Sequence, residues 1–409
     1  MGTSSVVIKD ADIALVLSPV LAGGPDQAAA RLLAEPDGVY QAELPGGKRV
    51  WVVSRYDDVR RLLADPRLAL DKRRSRSGYR GLELPSALEA NLLNMDGADH
   101  ARLRKLVVSA FTARRVGSLG ERIQRSCDAL IDAFPPDGSA DLLDVYAAPL
   151  PVAVICDLLG VPGPDGAALR ACTQVLLTPA KFGPADAAAA VGRIIRLLGG
   201  LIAAKRSEPA DDLLSAMIAA RDGVDRLSED ELLSLAFLIL FAGYENSVHL
   251  ITAATARLLA EPERAARVRA QQSPDTQQMQ QLVEEFLRDD QPVTNAIRRF
   301  PTEDVKVGGT VIPAGDTVYL AISAANRDAE AATSNAGNDA DAHLTFGHGP
   351  HYCLGAPLAR LETRIALWNL FHRLPDLALA VPPSDLPWKS DHRQHALRAL
   401  PIKYSAPLR

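Results

Sequence analysis

One cysteine, Cys353, lies between a glycine-rich turn and the start of a helical pattern. Gly347 and Gly349 allow left-handed backbone conformations in this turn, and Pro350 restricts it. From Leu354 onward, apolar residues recur every three or four positions, which predicts a helix. Because the free N–H groups at the start of a helix stabilise a thiolate, we expect a lowered pKa for Cys353. A thiolate on such a loop is typical of a cysteine that binds a metal through one sulfur.

Charged side chains occur at helical spacing in three other places. His100 and Arg104 are four residues apart and share one face of a predicted helix, where cationic donors suit a carboxylate. Glu245 lies within a long apolar helical pattern, where an unpaired charge is costly. Glu285 and Arg288 can pair across one helical turn. The ordinary interpretation of an isolated pair of this kind is an exposed ion pair worth less than about 1 kcal/mol.

The other cysteines have a simpler interpretation than Cys353. They lie in apolar helical patterns, which predicts buried core residues: Cys127, Cys156 and Cys172. A zinc site built from Cys353, His348 and His351 is an alternative for the glycine-rich turn. It is disfavoured because no fourth protein ligand lies at a suitable spacing.

Composition limits the class of protein and the kinds of partner. Of the 409 residues, 47% are apolar and 23% are charged, as in a soluble globular protein. The net charge of −5 argues against a general surface for nucleic acid or an anionic membrane. The N-terminus lacks the pattern of a signal peptide, and the longest apolar run, Leu235 to Ala242, is shorter than the ~20 residues of a membrane span. With four irregularly spaced cysteines, we expect a cytoplasmic protein without a disulfide framework.

Periodicity and turn signals predict the elements that must position these side chains. Residues 39–53 predict a β-hairpin, and residues 305–320 predict further strands. Ser228 and Glu231 form a capping box ahead of an apolar helix of about 32 residues, which would span ~48 Å. Pro274 predicts the start of another helix.

The stretch FGHGPHYCLG resembles the haem-binding signature of the cytochrome P-450 family, Phe-x-x-Gly-x-x-x-Cys-x-Gly. Phe346, Gly349, Cys353 and Gly355 match the signature. The resemblance is to the soluble bacterial members, and it implies a mainly α fold with small β-sheets in one large helical domain. It also implies haem b as the cofactor, with Cys353 as the axial ligand.

The order of the matching segments suggests how the chain is divided and which residues contact the haem. We assign residues 1–34 to an N-terminal segment and residues 35–409 to the catalytic domain. The resemblance implies that His100, Arg104 and Arg299 bind the haem propionates. It implies further haem contacts from Ala242, Phe346, Gly347, His351 and Gly355. It further implies that Glu285 and Arg288 form a buried Glu-x-x-Arg pair with a structural role.

The segment AGYENS, residues 242–247, resembles the part of the family's central helix beside the oxygen site. Gly243 would let oxygen and substrate approach the backbone, and Glu245 matches the family's acid. The threonine that usually follows this acid is replaced by Asn246, with Ser247 next. An amide can donate a hydrogen bond but cannot relay a proton as a hydroxyl does. We therefore take all four residues as catalytic candidates.

A second difference from the family pattern lies N-terminal to Cys353, in residues 329–341. Family members usually have a Pro-x-x-Phe meander there, with an arginine that completes the network of Glu285 and Arg288. This chain has small polar residues instead, which puts that third partner in doubt.

The resemblance implies an enzyme that uses O2 and electrons from a ferredoxin and its reductase to hydroxylate a small-molecule secondary metabolite. Basic residues that could dock an acidic ferredoxin are Arg102, Lys105, Arg114 and Arg360, although solvated surface is an equal interpretation. Asn246 suggests an alternative, because it resembles the residue of some members that couple aromatic groups oxidatively in peptide natural products. A non-catalytic haem sensor is a more remote alternative.

Overall fold

The computed structural model describes residues 25–405 and 407, apart from 45–47, 79–83, 178–181, 222–226, 329–342 and 391–393. Helices dominate this part of the chain. The α-helices are α1 (Pro25–Leu33), α2 (Tyr56–Ala64), α3 (Gly97–Ala110), α4 (Ala113–Ser118), α5 (Gly120–Asp132), α6 (Pro149–Leu159), α7 (Gly163–Leu177), α8 (Pro184–Ser207), α9 (Leu213–Arg221), α10 (Glu229–Ala260), α11 (Pro262–Arg269), α12 (Gln277–Asp289), α13 (Ile322–Ala325) and α14 (Ala356–Arg373).

The strands are short and form small separate sheets. They are β1 (Val39–Leu44), β2 (Lys48–Val53), β3 (Leu68–Ala69), β4 (Ser139–Asp141), β5 (Phe300–Pro301), β6 (Val305–Val307), β7 (Thr310–Ile312), β8 (Thr317–Leu320), β9 (Ala378–Leu379), β10 (Trp388–Ser390), β11 (His395–Leu397) and β12 (Pro401–Lys403). The sheet orders are β1-β2-β8, β4-β12-β9, β3-β5, β6-β7 and β10-β11. The mainly α fold with small sheets is thus confirmed.

Helix α10 forms the centre of the helical part. Ser228 and Glu231 form the predicted capping box, and the helix runs for 32 residues. Its apolar side chains belong to one large core shared with α5, α6 and α14. The predicted length, start and burial of this helix are therefore confirmed.

The predicted hairpin is the antiparallel pair β1-β2, and its turn residues 45–47 lie outside the described residues. Strand β8 extends this sheet in parallel to β2, with Val50 opposite Thr317. Helix α1 packs Ala29 and Leu32 against the same sheet. The division of the chain at residue 34 stays a prediction.

Two other expectations differ from the structure in detail. The helix predicted from Pro274 begins at Gln277, because the side chain of Thr276 accepts a hydrogen bond from the backbone of Met279 and so caps the helix there. Two helical segments, Ala185–Ser207 and α10, are long and apolar enough to cross a membrane by length and composition alone. In α10 more than half of that apolar window is buried inside the protein, as in a core helix.

Candidate functional site

A cavity of about 370 Å³ lies between α10, α3 and the loop that precedes α14. Most of its walls are apolar, with contributions from α6, α10 and the segment before β5. The apolar lining residues include Leu92, Leu93, Phe111, Ile155, Leu158, Leu235, Leu238, Ile239, Val293, Ala296 and Ile297. Cys353 and Asn246 both line this cavity, so the structure brings together the cysteine loop and the segment of residues 242–247.

The loop that carries Cys353 has the conformation that its glycines were expected to allow. Gly347 and Gly349 have φ values of 76° and 75°, where L-residues are strained. A Cβ on Gly349 would lie only 2.8 Å from the Cβ of Ala64 in α2. The backbone N–H of Cys353 donates to the carbonyl of Phe346 at 2.9 Å and closes the loop.

The pKa of Cys353 differs from the expectation drawn from the sequence. The N–H groups of Gly355 and Ala356 lower it, as do the nearby guanidinium groups of Arg104 and Arg360. Desolvation by the surrounding protein atoms outweighs them and raises the pKa of Cys353 above its usual value, although the cysteine is exposed at the cavity surface. The helix N-terminus alone therefore does not make this thiol acidic, and the prediction of a lowered pKa is wrong for the protein without a metal.

Basic side chains lie on one side of the cavity, and two of them have nitrogen atoms without a hydrogen-bond partner among the described residues. Arg299 is buried, and its Nε and Nη1 have no hydrogen-bond partner among the described residues. Nε2 of His100, on α3, is equally without one in that part of the chain. Arg104 also lines the cavity and donates to the carbonyl of Tyr352 at 2.7 Å. Buried donors of this kind call for an anionic ligand, and the two carboxylates of a haem fit them.

The electrostatics of these groups follow from burial. Burial lowers the pKa of Arg299 to about 10 and, with the charges of His351 and Arg104, lowers the pKa of His100 to about 4. The His351 ring packs against the His100 ring with centroids 4.0 Å apart and a tilt of 46°, and its Nε2 lies 3.4 Å from Asp96. His100 is therefore neutral at pH 7 and offers a hydrogen bond, whereas Arg299 keeps its charge.

Helix α10 presents Ala242, Gly243, Asn246 and Ser247 to the cavity. Gly243 has an additional role that the sequence did not indicate. A Cβ at this position would lie 2.6 Å from Cδ1 of Ile155, so the glycine lets α10 approach α6 closely. Its role in the approach of oxygen and substrate stays a prediction.

Comparison with known proteins identifies the family. The family model "Cytochrome P450" matches residues 201–406. The cytochrome P450 monooxygenase PikC of Streptomyces venezuelae is 44% identical over 382 residues, which cover 92% of this chain and 90% of PikC. The chain belongs to the cytochrome P450 family. The vitamin D(3) 25-hydroxylase of Pseudonocardia autotrophica is 42% identical over 384 residues, covering 92% of this chain and 93% of that protein.

The fold agrees with this membership. The structure of the P450 monooxygenase TamI bound to tirandamycin C matches with a TM-score of 0.81 at 39% identity, covering 94% of this chain and 98% of TamI. The protein is therefore a P450 enzyme of the bacterial monooxygenase type. This membership argues against the alternative of a non-catalytic haem sensor. Membership implies a haem held by a cysteine thiolate. Among the described residues, no three His, Cys, Asp or Glu side chains converge as metal ligands, which gives the zinc alternative no support.

Glu245 of this P450 lies beside the cavity but is not among its described lining residues. Its Oε1 accepts a hydrogen bond from Nε2 of Gln394 at 2.9 Å and lies 3.8 Å from Nε2 of His249. The carboxylate therefore faces Gln394, in the segment before β11. The expectation that it acts at the oxygen site stays a prediction, and this conformation does not bring it there.

Among the described residues, Glu285 and Arg288 each have another ion-pair partner, and their buried structural pair stays a prediction. Glu285 forms an ion pair with Arg264 of α11, and 45% of its side chain is exposed. Arg288 pairs with Asp289 at 3.0 Å, and 39% of its side chain is exposed. Arg264 reaches the Glu285 carboxylate from the neighbouring helix. The altered meander, residues 329–341, lies outside the described residues.

One lining residue was missed by the sequence analysis. Glu362 lies on α14, is only 2% exposed and lines the same cavity as Cys353. A signal was present, because Glu362 directly follows Leu361 and lies between the helical apolar positions Leu358 and Ile365. It was overlooked because the family signature ends earlier, at Gly355.

Proposed function

We propose that this P450 is a haem b monooxygenase that hydroxylates a neutral, largely apolar secondary metabolite in the cytoplasm. The observation that supports this most directly is the set of buried donors on His100 and Arg299 beside Cys353. These donors line the same cavity as Cys353. The cavity therefore offers a sulfur ligand for the iron and hydrogen-bond donors for the two haem carboxylates. A haem with an axial thiolate supplies the activation of O2 for oxygen insertion.

The chain's own residues would hold the cofactor and orient the substrate. Cys353 would be the axial ligand, and Phe346, Gly347, His351, Gly355 and Ala242 line the cavity around it. His100, Arg104 and Arg299 would hold the propionates. The apolar side chains of α6 and α10 would exclude water and position the substrate.

The nature of the lining supports a neutral substrate. The titratable residues among the described lining residues, other than Cys353 and Tyr352, are His100, Arg104, Arg299, His348, His351 and Glu362. The α6 wall and the segment before β5 up to Ile297 contribute only apolar lining residues in the described part. A charged substrate would be desolvated there without a partner. A relative that is a vitamin D(3) hydroxylase and a similar structure bound to tirandamycin C support a small-molecule substrate.

Electrons would come from a ferredoxin and its reductase. Of the basic residues considered for docking, Arg102 forms an ion pair with Glu231, and Arg360 pairs with Glu284 through Nε at 2.6 Å. Lys105 and Arg114 are exposed and remain the better candidates. In the sequence, both come after Arg104, whose side chain donates a hydrogen bond to the cysteine loop.

Oxidative coupling of an aromatic cyclic peptide is the second candidate function. It is favoured by one observation, the presence of Asn246 on the cavity wall in place of the family's threonine. The described part of the cavity has few aromatic side chains to stack against such a substrate, with Phe111 and Phe346 as the phenylalanines. We therefore place hydroxylation first.

The test is turnover with a surrogate ferredoxin and reductase. A panel of neutral polyketides, steroids and aromatic cyclic peptides is screened for a substrate-induced shift of the haem spectrum, and products are identified by mass. We expect a gain of one oxygen atom. A product that has lost two hydrogens and gained no oxygen would favour coupling. Cys353→Ser should abolish both turnover and the thiolate-type spectrum of the reduced carbon monoxide complex, and normal turnover of this variant would refute the proposal.

A further inference from the structure

The segment of residues 84–95, which precedes α3, supplies part of the cavity wall. Leu92 and Leu93 of this segment both line the cavity. The segment contains one short turn of 3-10 helix, Ser86–Leu88, and is otherwise irregular. Irregular backbone has no ladder of hydrogen bonds to hold its shape, so its side-chain contacts decide where the two leucines lie.

Asn91 is the buried polar side chain of this segment, and it is only 3% exposed. Its Nδ2 donates to the carbonyl of Leu88 at 2.9 Å and to Oγ of Ser234 at 2.9 Å. Its Oδ1 accepts a hydrogen bond from the backbone N–H of Leu93 at 3.0 Å. A side-chain amide has two N–H donors and one carbonyl oxygen. All of them are used here, so the amide fixes the backbone on both sides of Asn91 and joins it to a second element.

Ser234 is the partner of Asn91 on the central helix. It lies on α10, is fully buried, and directly precedes the lining residue Leu235. No second hydrogen bond joins residues 84–95 to α10 among the residues that the structure describes. The carboxylate of Glu89, for comparison, pairs with Lys72 and accepts from the backbone of its own segment. The contact between Asn91 and Ser234 therefore sets the polar register of the segment on α10.

We propose that Asn91 and Ser234 are positioning residues that determine specificity. Neither is among the described lining residues, so they act on a substrate through Leu92 and Leu93. Their hydrogen bond holds the two leucines at a fixed distance from α10 and so decides how closely the cavity fits an apolar ligand. A wall that moves outward loses contacts with the ligand, because dispersion attraction falls steeply with distance. This role rests on the proposed function, since it concerns the same cavity and the same class of apolar substrate.

Two azoles measure the fit of the cavity without turnover. Imidazole and clotrimazole both coordinate a haem iron through a ring nitrogen and shift the haem spectrum, and clotrimazole carries in addition a bulky group of aromatic rings. In a cavity of about 370 Å³ those rings must contact the apolar walls, whereas imidazole occupies little of the space. The ratio of the two dissociation constants, measured on the haem-loaded protein, therefore isolates the contribution of the walls.

We expect Ser234→Ala to raise the dissociation constant of clotrimazole about fivefold and Asn91→Ala to raise it about tenfold, with that of imidazole unchanged. Asn91→Ala has the larger effect because it also frees the backbone of Leu93. Since both substitutions break the same hydrogen bond, the double variant should bind clotrimazole about as weakly as Asn91→Ala alone.

The matched control is Thr255→Val, which removes another fully buried hydroxyl of α10. This hydroxyl donates within the helix, to the carbonyl of Ile251 at 2.8 Å, and Thr255 lies outside the described lining. We expect the control to keep both dissociation constants, even if it lowers the melting temperature. A purely structural role of Ser234 would make Ser234→Ala behave in the same way.

The outcomes separate this role from the proposed function. An unchanged ratio of dissociation constants in Ser234→Ala and Asn91→Ala would overturn the positioning role and leave the oxygenase function intact. Equal weakening of imidazole and clotrimazole would also overturn it, because the change would then lie at the haem and not at the wall. If wild type showed no azole-induced shift, the haem cavity of the proposed function would fail, and the positioning role with it. If Asn91→Ala does not retain haem, Ser234→Ala decides, because it leaves the bonds of the amide to Leu88 and Leu93 in place.

Discussion

Asn246 lines the cavity. The sequence resemblance predicts that it takes the place of a threonine of the family. A threonine hydroxyl both donates and accepts hydrogen bonds and can relay protons, whereas the amide nitrogen only donates. We expect Asn246→Thr to keep haem binding and the hydroxylated product, and to raise the yield of product per electron pair. The measurement is product and peroxide formed per NADPH consumed. A change from a cross-linked to a hydroxylated product would contradict this expectation and favour oxidative coupling.

The buried carboxyl group of Glu362 should make the stability of the folded protein depend on pH. Its pKa is about 8 in the folded protein, against 4.5 for an ordinary glutamate. Between these values the folded state binds a proton that the unfolded chain does not, so this group lowers the stability as the pH rises from 4.5 to 8. Glu362→Gln should remove that loss and be more stable than wild type at pH 8 by about 4 kcal/mol. Thermal unfolding at pH 5 and pH 8 measures the difference, and a variant less stable at pH 8 would contradict it.

Residues of the site were predictable where they belong to a continuous motif. Cys353, Gly347 and the pair His100 and Arg104 lie in stretches whose spacing is itself informative, and the structure brings them to one cavity. Glu362 and the contact of Glu245 with Gln394 were not predictable in this way. They depend on which side chains meet across helices, and a sequence pattern contains no such distances.

At the scale of elements, the cysteine loop is held against α2 at one point. Gly347 and Gly349 both have positive φ, so an alanine at either position costs about 1 kcal/mol in backbone strain. Only Gly349 also meets a neighbour, since its added Cβ would lie 2.9 Å from Cα of Ala64, whereas the nearest atom to a Cβ at Gly347 is 3.8 Å away. We expect Gly349→Ala to be destabilised by about 3 kcal/mol and Gly347→Ala by about 1 kcal/mol.

The two variants serve as matched controls for each other, because the chemical change and the backbone strain are the same. Thermal unfolding and haem content after purification measure the effect. Equal losses in both would show that the contact with α2 does not position the loop. A greater loss in Gly347→Ala would contradict the argument outright.

Elements were predictable where local chemistry decides their limits. The capping box of Ser228 and Glu231 marks the start of α10, and the β1-β2 pair follows from alternation around a glycine turn. The start of α12 was misplaced because Pro274 is a strong signal in the sequence, whereas the cap is made by Thr276 two residues later. The ion pair of Glu285 with Arg264 was missed because Arg264 lies on another helix.

At the scale of the whole molecule, the net charge is −5, so attraction of an acidic partner depends on which basic residues are exposed and unneutralised. Ion pairs with Glu231 and Glu284 occupy Arg102 and Arg360, which reduces the field they offer to a partner. Lys105 and Arg114 are exposed on α3 and α4. An acidic ferredoxin that approaches Cys353 from this side would be attracted chiefly by these two residues.

This argument predicts that the double variant Lys105→Glu and Arg114→Glu lowers the apparent association rate with an acidic ferredoxin by at least about tenfold at low ionic strength. High salt should shrink the difference from wild type, because exposed charges are screened. Substrate-induced spectral shifts should be unchanged. Lys306→Glu, the same change of charge at an exposed position of β6, is the control and should have little effect. Equal weakening by Lys306→Glu would mean that overall charge, and not this surface, governs ferredoxin binding.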